Sequence, residues 1–130
     1  PCKMLANNTF KNKDLVNYVN DNYYAVKFNG EGNEVVNYKG QKFENKDYDP
    51  ARAQSRNSLH PLTNYLQVQA YPTMVFLDEK NDLITGITGY MSPTQLELYL
   101  KMFKNDEHKS ITSQQEFQAY QAKFKPTFKN

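Results

Sequence analysis

The sequence contains no tryptophan and a single cysteine, Cys2. One thiol cannot close an internal disulfide, so a disulfide-stapled scaffold is excluded, and cysteine usage leaves the redox compartment open. Glycine is sparse, with five residues in 130, and no Gly-rich phosphate loop or Ser-His-Asp pattern is visible. Neither His60, next to Pro61, nor His108, in a charged stretch, has a second ligand at useful spacing, so no metal is expected. Glu31 and Glu34 with Asn29 and Asn33 do not follow the EF-hand pattern either. No apolar run approaches the roughly 20 residues of a membrane span. The basic and acidic residues nearly balance, 16 against 14, and a net +2 gives no argument for nucleic acid.

At 130 residues the chain is long enough for a real core. Ten tyrosines and eight phenylalanines predict a core built largely from aromatic rings, with tyrosine hydroxyls partnered or exposed. The organising stretch is Ala70-Tyr71-Pro72-Thr73-Met74-Val75-Phe76-Leu77-Asp78. Its four consecutive apolar residues read as a strand buried on both faces. Pro72 stands just ahead, where no N–H need be donated. After the turn at 78–82, Leu83, Ile84 and Thr85 predict a second, antiparallel strand. Ser92, Pro93 and Gln95 then write an N-cap, a first helical position and a capping box. Leu96, Tyr99, Leu100 and Phe103 continue as one helical stripe.

Upstream, residues 2–9 predict a helix, 10–13 a break, and 14–22 a second helical stretch with Leu15, Tyr18 and Val19 on one face. Tyr24, Val26 and Phe28 alternate with Ala25 and Lys27, a period-two strand. Val35, Val36, Tyr38, Lys39-Gly40 and Phe43 read as a small hairpin. Asn57 or Ser58 is expected to cap a short helix carrying Leu59, Leu62 and Leu66. Residues 104–109 form a charged linker. Thr112 or Ser113, with Gln115 or Glu116, then opens an amphipathic helix bearing Phe117, Tyr120 and Phe124. The alternative for this tail, with Lys123, Lys125 and Lys129 among Phe124 and Phe128, is a basic-aromatic surface contact. Residues 126–130 are expected to fray.

Taken together, Pro1-Cys2-Lys3-Met4, Tyr71-Pro72-Thr73, Gly89-Tyr90 and the helix to Leu100 resemble the thioredoxin-like superfamily, and within it the bacterial exported thiol-disulfide interchange proteins. The resemblance implies an α/β thioredoxin-like fold over 1–103, with an inserted hairpin at about 30–57 and a C-terminal extension over 104–130. It implies a redox-active centre in which Cys2 is the resolving, shielded cysteine of a Cys-x-Pro-Cys-Lys motif, its nucleophilic partner not being in this sequence. It makes Pro72 a cis-proline facing that centre, and Tyr71 a main-chain docking point for substrate polypeptide. Lys27 lies either beneath the active site, tuning a carboxylate, or in solvent; Tyr90 lies either on the site's rim or in the core.

The implied function is thiol-disulfide exchange on cysteines of other proteins, as a disulfide reductase or isomerase, with no organic cofactor. A dithiol protein is the implied redox partner, and a periplasmic or otherwise exported location is implied. The alternative is a non-catalytic thioredoxin-fold module that binds polypeptides through the Tyr71-Pro72 edge. In this fold a strand immediately before the active-site motif lies between two others, here 24–28 and 73–77. That central strand is missing from the sequence as given. It is expected to precede Pro1, the other possibilities being a strand donated by another chain or direct pairing of 24–28 with 73–77.

Overall fold

A computed structural model describes residues 2–129. They pack as two compact units, one formed by Pro1–Ala25 with Tyr90–Asn130 and the other by Val26–Gly89.

The first unit is helical. Helix α1, Cys2–Asn7, is followed by a 3-10 turn at Thr9–Lys11 and by α2, Lys13–Asn22. The interruption falls where the sequence predicts it, and Asn12 caps α2 by accepting from the Leu15 N–H at 3.0 Å. Helix α4, the fourth in chain order, runs Pro93–Lys104 with the predicted capping box: Gln95 N–H donates to Ser92 Oγ at 3.3 Å and Ser92 N–H to Gln95 Oε1 at 2.9 Å. After a 3-10 turn at Glu107–Ser110, α5 spans Gln114–Lys123 with Ser113 as its N-cap. Its aromatic stripe is used: Phe117 stacks on Tyr99 at 5.9 Å between ring centres, and Tyr120 on Phe124 at 6.2 Å.

The second unit holds two hairpins and a short helix. Strands β1, Val36–Tyr38, and β2, Gln41–Phe43, pair antiparallel in the register Tyr38↔Gln41. The two turn residues between them, Lys39 and Gly40, have φ of 52° and 78°. Positive φ at both central positions makes a turn whose twist suits a two-residue hairpin, and Gly40 adopts it without steric cost. Helix α3 is Pro61–Tyr65. Strands β3, Thr73–Leu77, and β4, Leu83–Thr88, form the second hairpin, and β4 runs three residues beyond the predicted Thr85. Asp78 organises their turn by accepting from the N–H groups of Lys80 and Asp82 at 2.8 and 2.9 Å. The two hairpins are tied by the Tyr38 hydroxyl donating to the Asn81 carbonyl and by the Lys39–Asp82 ion pair.

Several expectations are corrected. The core is mainly leucine with phenylalanine: Leu5, Leu15, Leu62, Leu96, Leu98 and Leu100 are buried beside Phe43, Phe76, Phe103 and Phe128. No tyrosine is among the buried residues: the rings sit at the rim, where hydroxyls such as those of Tyr23, Tyr38 and Tyr120 reach protein acceptors. Residues 24–28 form no strand and no ladder, and Tyr24 and Val26 are 102% and 83% exposed. Alternation specifies an extended chain, whereas a strand also needs a neighbour, and β3 pairs with β4 alone among the described residues. Direct pairing of 24–28 with β3 is therefore excluded. For the same reason β3 is not buried on both faces: Phe76 is buried, Thr73, Met74 and Val75 are half-buried, and Leu77 is exposed. Finally, α3 is capped not by Asn57 or Ser58 but by His60, whose Nδ1 accepts from the Leu62 N–H at 3.1 Å.

The fraying expected of residues 126–130 is also overturned over 126–129, the last residue lying outside the described ones. Glu97, on α4, is 0% exposed. Its Oε2 accepts from Lys101 Nζ at 2.7 Å and from the Thr127 N–H at 2.8 Å, and its Oε1 from the Phe128 N–H at 2.9 Å. The Lys129 N–H donates to Asp14 Oδ2 at 2.9 Å, and the Asn12 amide donates to the Lys129 carbonyl. Phe128 is buried at 9% exposure, its ring 5.9 Å from that of Tyr18, and the Lys101 ammonium lies 5.0 Å from its centre. Burial alone would raise the Glu97 pKa, but the bonds from Lys101 and the main chain of Phe128 and Thr127 outweigh it and leave it lowered.

A carboxyl whose folded pKa lies below its unfolded value contributes stability above the unfolded pKa, ordinarily about 4.3. That contribution disappears as pH falls through the folded pKa. Glu97→Ala is expected to cost about 3 kcal/mol in urea unfolding at neutral pH, because it strands Lys101 and the two tail N–H groups. The loss should shrink as pH falls below ~4. An undiminished loss at low pH would show that the ionised carboxylate is not what holds the tail.

Candidate functional site

The residues assigned by the sequence fall in both units. Cys2 is the first residue of α1, in the first unit, and its thiol is free and exposed. The residue that α1 buries is Leu5, and the first turn stays open. Tyr90 lies in the same unit, beside an open groove of about 450 Å³ lined also by Thr94, Leu98, Tyr99 and Phe124. Its hydroxyl accepts from the Asn8 side chain, and the Thr9 hydroxyl donates to the Met91 carbonyl. These two bonds fasten the turn after α1 to the segment that leads into α4, so the end of α1 is held by the chain that follows β4.

Tyr71, Pro72 and Lys27 belong to the second unit. The Tyr71–Pro72 peptide bond is cis. The Pro72 carbonyl accepts from the Gly89 N–H at 2.8 Å, which continues the β3–β4 ladder back to the proline. The Thr73 hydroxyl accompanies it, bonded to the Ala70 carbonyl at 2.6 Å and 3.0 Å from the Thr88 hydroxyl. By contrast, neither the N–H nor the C=O of Tyr71 takes a main-chain partner among the described residues. The Tyr71 side chain is 38% exposed. Lys27 lies in the stretch 24–28, exposed and in no ion pair among the described residues, which is the solvent-facing alternative.

Beneath Tyr71 is a set of polar residues that sequence reasoning did not single out. The Gly30 carbonyl accepts from the His60 N–H at 2.9 Å and from the Thr63 hydroxyl at 2.8 Å. His60 is 0% exposed, and its Nε2 lies 2.6 Å from the Glu34 carbonyl. Because Nδ1 accepts from Leu62, the proton is on Nε2 and donates to Glu34; the ring is neutral and does structural work on both nitrogens. Phe28 meets its face edge-on at 4.8 Å. Asn45 Nδ2 donates to the carbonyls of Gly32 and Ser58 at 2.9 Å each. The signal for His60 was present in His-Pro, a polar residue directly before a proline that opens a helix. For Glu97 it was the i, i+4 spacing to Lys101, which marks an ion pair on one face.

A family model described as a thioredoxin-like domain matches residues 1–104. No curated protein and no solved structure gives a match. Among the described residues no helix is long and apolar enough to cross a membrane.

The exposure of Cys2 has a direct chemical consequence. In the folded chain, one thiol per molecule is expected to react promptly with a chromogenic aromatic disulfide reagent, without denaturant. Reaction only after unfolding would mean that the thiol is covered.

Proposed function

Because the chain belongs to the thioredoxin-like domain family, we propose that it serves as the substrate-docking and resolving part of a protein thiol-disulfide oxidoreductase. The observation that carries this reading is the exposed Cys2 thiol in the first turn of α1, in the sequence context Pro1-Cys2-Lys3. The catalytic cycle needs two sulfurs, and this sequence holds one. The nucleophile is accordingly a cysteine outside these residues, one turn ahead of Cys2 in a Cys-x-Pro-Cys arrangement.

In the reducing direction the nucleophilic thiolate attacks a substrate disulfide. A mixed disulfide forms, and one substrate sulfur leaves as thiolate and takes a proton. Cys2, as thiolate, then attacks the enzyme sulfur of the mixed disulfide. The second substrate sulfur leaves reduced, and the enzyme is left with a disulfide between its own two cysteines. A dithiol protein returns the two electrons by the reverse exchange. Tyr71, with main-chain donor and acceptor both open, pairs with an extended stretch of the substrate, which recognises a backbone rather than a sequence. The resemblance of the motifs to bacterial exported interchange proteins supports a periplasmic or otherwise exported setting, with cysteine-containing proteins as substrates.

A second reading is supported by the single cysteine: a polypeptide-binding module that uses the Tyr71-Pro72 edge without redox chemistry. Insulin reduction with dithiothreitol recycling separates the two. The 130-residue chain is expected to show negligible turnover, and a version with a cysteine two positions ahead of Pro1 to reduce insulin well above the uncatalysed rate. An inactive two-cysteine version leaves the binding module as the function.

A further inference from the structure

We infer that Gly30 and Glu31 form a seat that positions the Tyr71 ring, and that this seat sets how tightly the Tyr71-Pro72 edge captures polypeptide. The inference rests on the docking role proposed above for Tyr71, and all of its residues lie in one unit. The Tyr71 ring lies directly on the Gly30 backbone. A Cβ at Gly30 would meet the Tyr71 hydroxyl at 2.9 Å, its ring at 3.0 Å and the Thr63 hydroxyl at 3.1 Å. A side chain there would displace the Tyr71 ring, so the absence of a Cβ is what lets the ring approach so closely.

Glu31 completes the seat. Its side chain is only 11% exposed. Oε1 accepts from the Asn57 N–H at 2.9 Å. Oε2 is buried and has no hydrogen bond of good geometry, although Arg56 Nη2 stands 2.9 Å away as its ion-pair partner. The Arg56 side chain is 82% exposed, so this pair is screened on one side only. The Gly30-Glu31 loop is itself anchored: Gly30 by His60 and Thr63, Glu31 by its N–H on Asn29 Oδ1 at 3.0 Å. The Tyr71 hydroxyl lies 2.9 Å from where a Cβ of Gly30, the residue before Glu31, would stand; burial, and then the negative charge of Glu31, push the Tyr71 pKa up. A ring fixed on this loop fixes the backbone torsions of the residue that bears it. Tyr71 would then present its open N–H and C=O in one direction, and a preorganised edge binds more tightly than a mobile one.

The test uses the 130-residue chain and a probe that cannot undergo exchange: fluorescein-labelled insulin B chain with its cysteines carboxamidomethylated, followed by fluorescence anisotropy. Glu31→Ala is expected to weaken binding about tenfold, and Gly30→Ala by a similar factor. In a Tyr71→Phe background, which removes the hydroxyl that lies on the Gly30-Glu31 loop, Glu31→Ala should have little further effect. Equal affinity of Glu31→Ala and the parent overturns the inference, as does an undiminished effect of Glu31→Ala in the Tyr71→Phe background. So does failure of the parent chain to bind the probe. Should Glu31→Ala unfold, Glu31→Gln carries the same comparison, because it keeps an acceptor for Asn57. Insulin reduction by the two-cysteine version decides catalysis separately: lost turnover with binding intact removes the oxidoreductase and leaves the seat in place.

Discussion

The Glu97 carboxylate is the constraint around which the helical unit is arranged. An ionised group with no exposed surface is costly to bury unless every lone pair it presents is met. Here the lysine one helical turn on meets part of the demand, and the main chain of Thr127 and Phe128 meets the rest. Neither partner alone would suffice. The carboxylate therefore determines where the tail lies, and the tail brings Phe128 against Tyr18 and Lys129 against Asp14. One buried charge on α4 fixes a segment that touches α2, and in doing so closes the unit.

The second unit solves a different problem. Its hairpins are short, with three residues in each strand of the first, and most of its chain is loop. Loops that run inward must find partners for their peptide groups. Three side chains supply them: His60 bonds through both ring nitrogens, Thr63 reaches the Gly30 carbonyl, and Asn45 spans two carbonyls. Each is nearly or wholly buried. A satisfied polar network of this kind gives loops one conformation where apolar packing alone would allow several. That conformation is what allows Gly30 to come within van der Waals reach of Tyr71.

The chemistry stands on these two frameworks. Cys2 rests on α1, whose following turn is fastened by Asn8 and Thr9 to the segment entering α4. Tyr71 and Pro72 rest on the β3–β4 hairpin and the Gly30 loop. Cys2 and Tyr71 are exposed while the residues just behind them are held, the arrangement that the proposed exchange and docking would use.

Local rules determined much of this protein. The capping box of Ser92 and Gln95, the turn of Lys39-Gly40, the break before α2 and the apolar stripe of α4 depend on residues within a few positions of each other. Their chemistry is complete in the sequence. The motif pair around Cys2 and Pro72 was legible for the same reason, since each lies in a short, distinctive run. What the sequence left open depended on partners far along the chain. Residues 24–28 alternate as a strand should, yet a ladder needs a neighbour, and alternation does not supply one. The tail from Pro126 carries no periodic signal, and partners far along the chain order it, the carboxylate of Glu97 about thirty positions away and the side chains of Asp14 and Asn12. Only the folded chain decided which groups are buried together, because burial and hydrogen-bond satisfaction are properties of residues that meet in space.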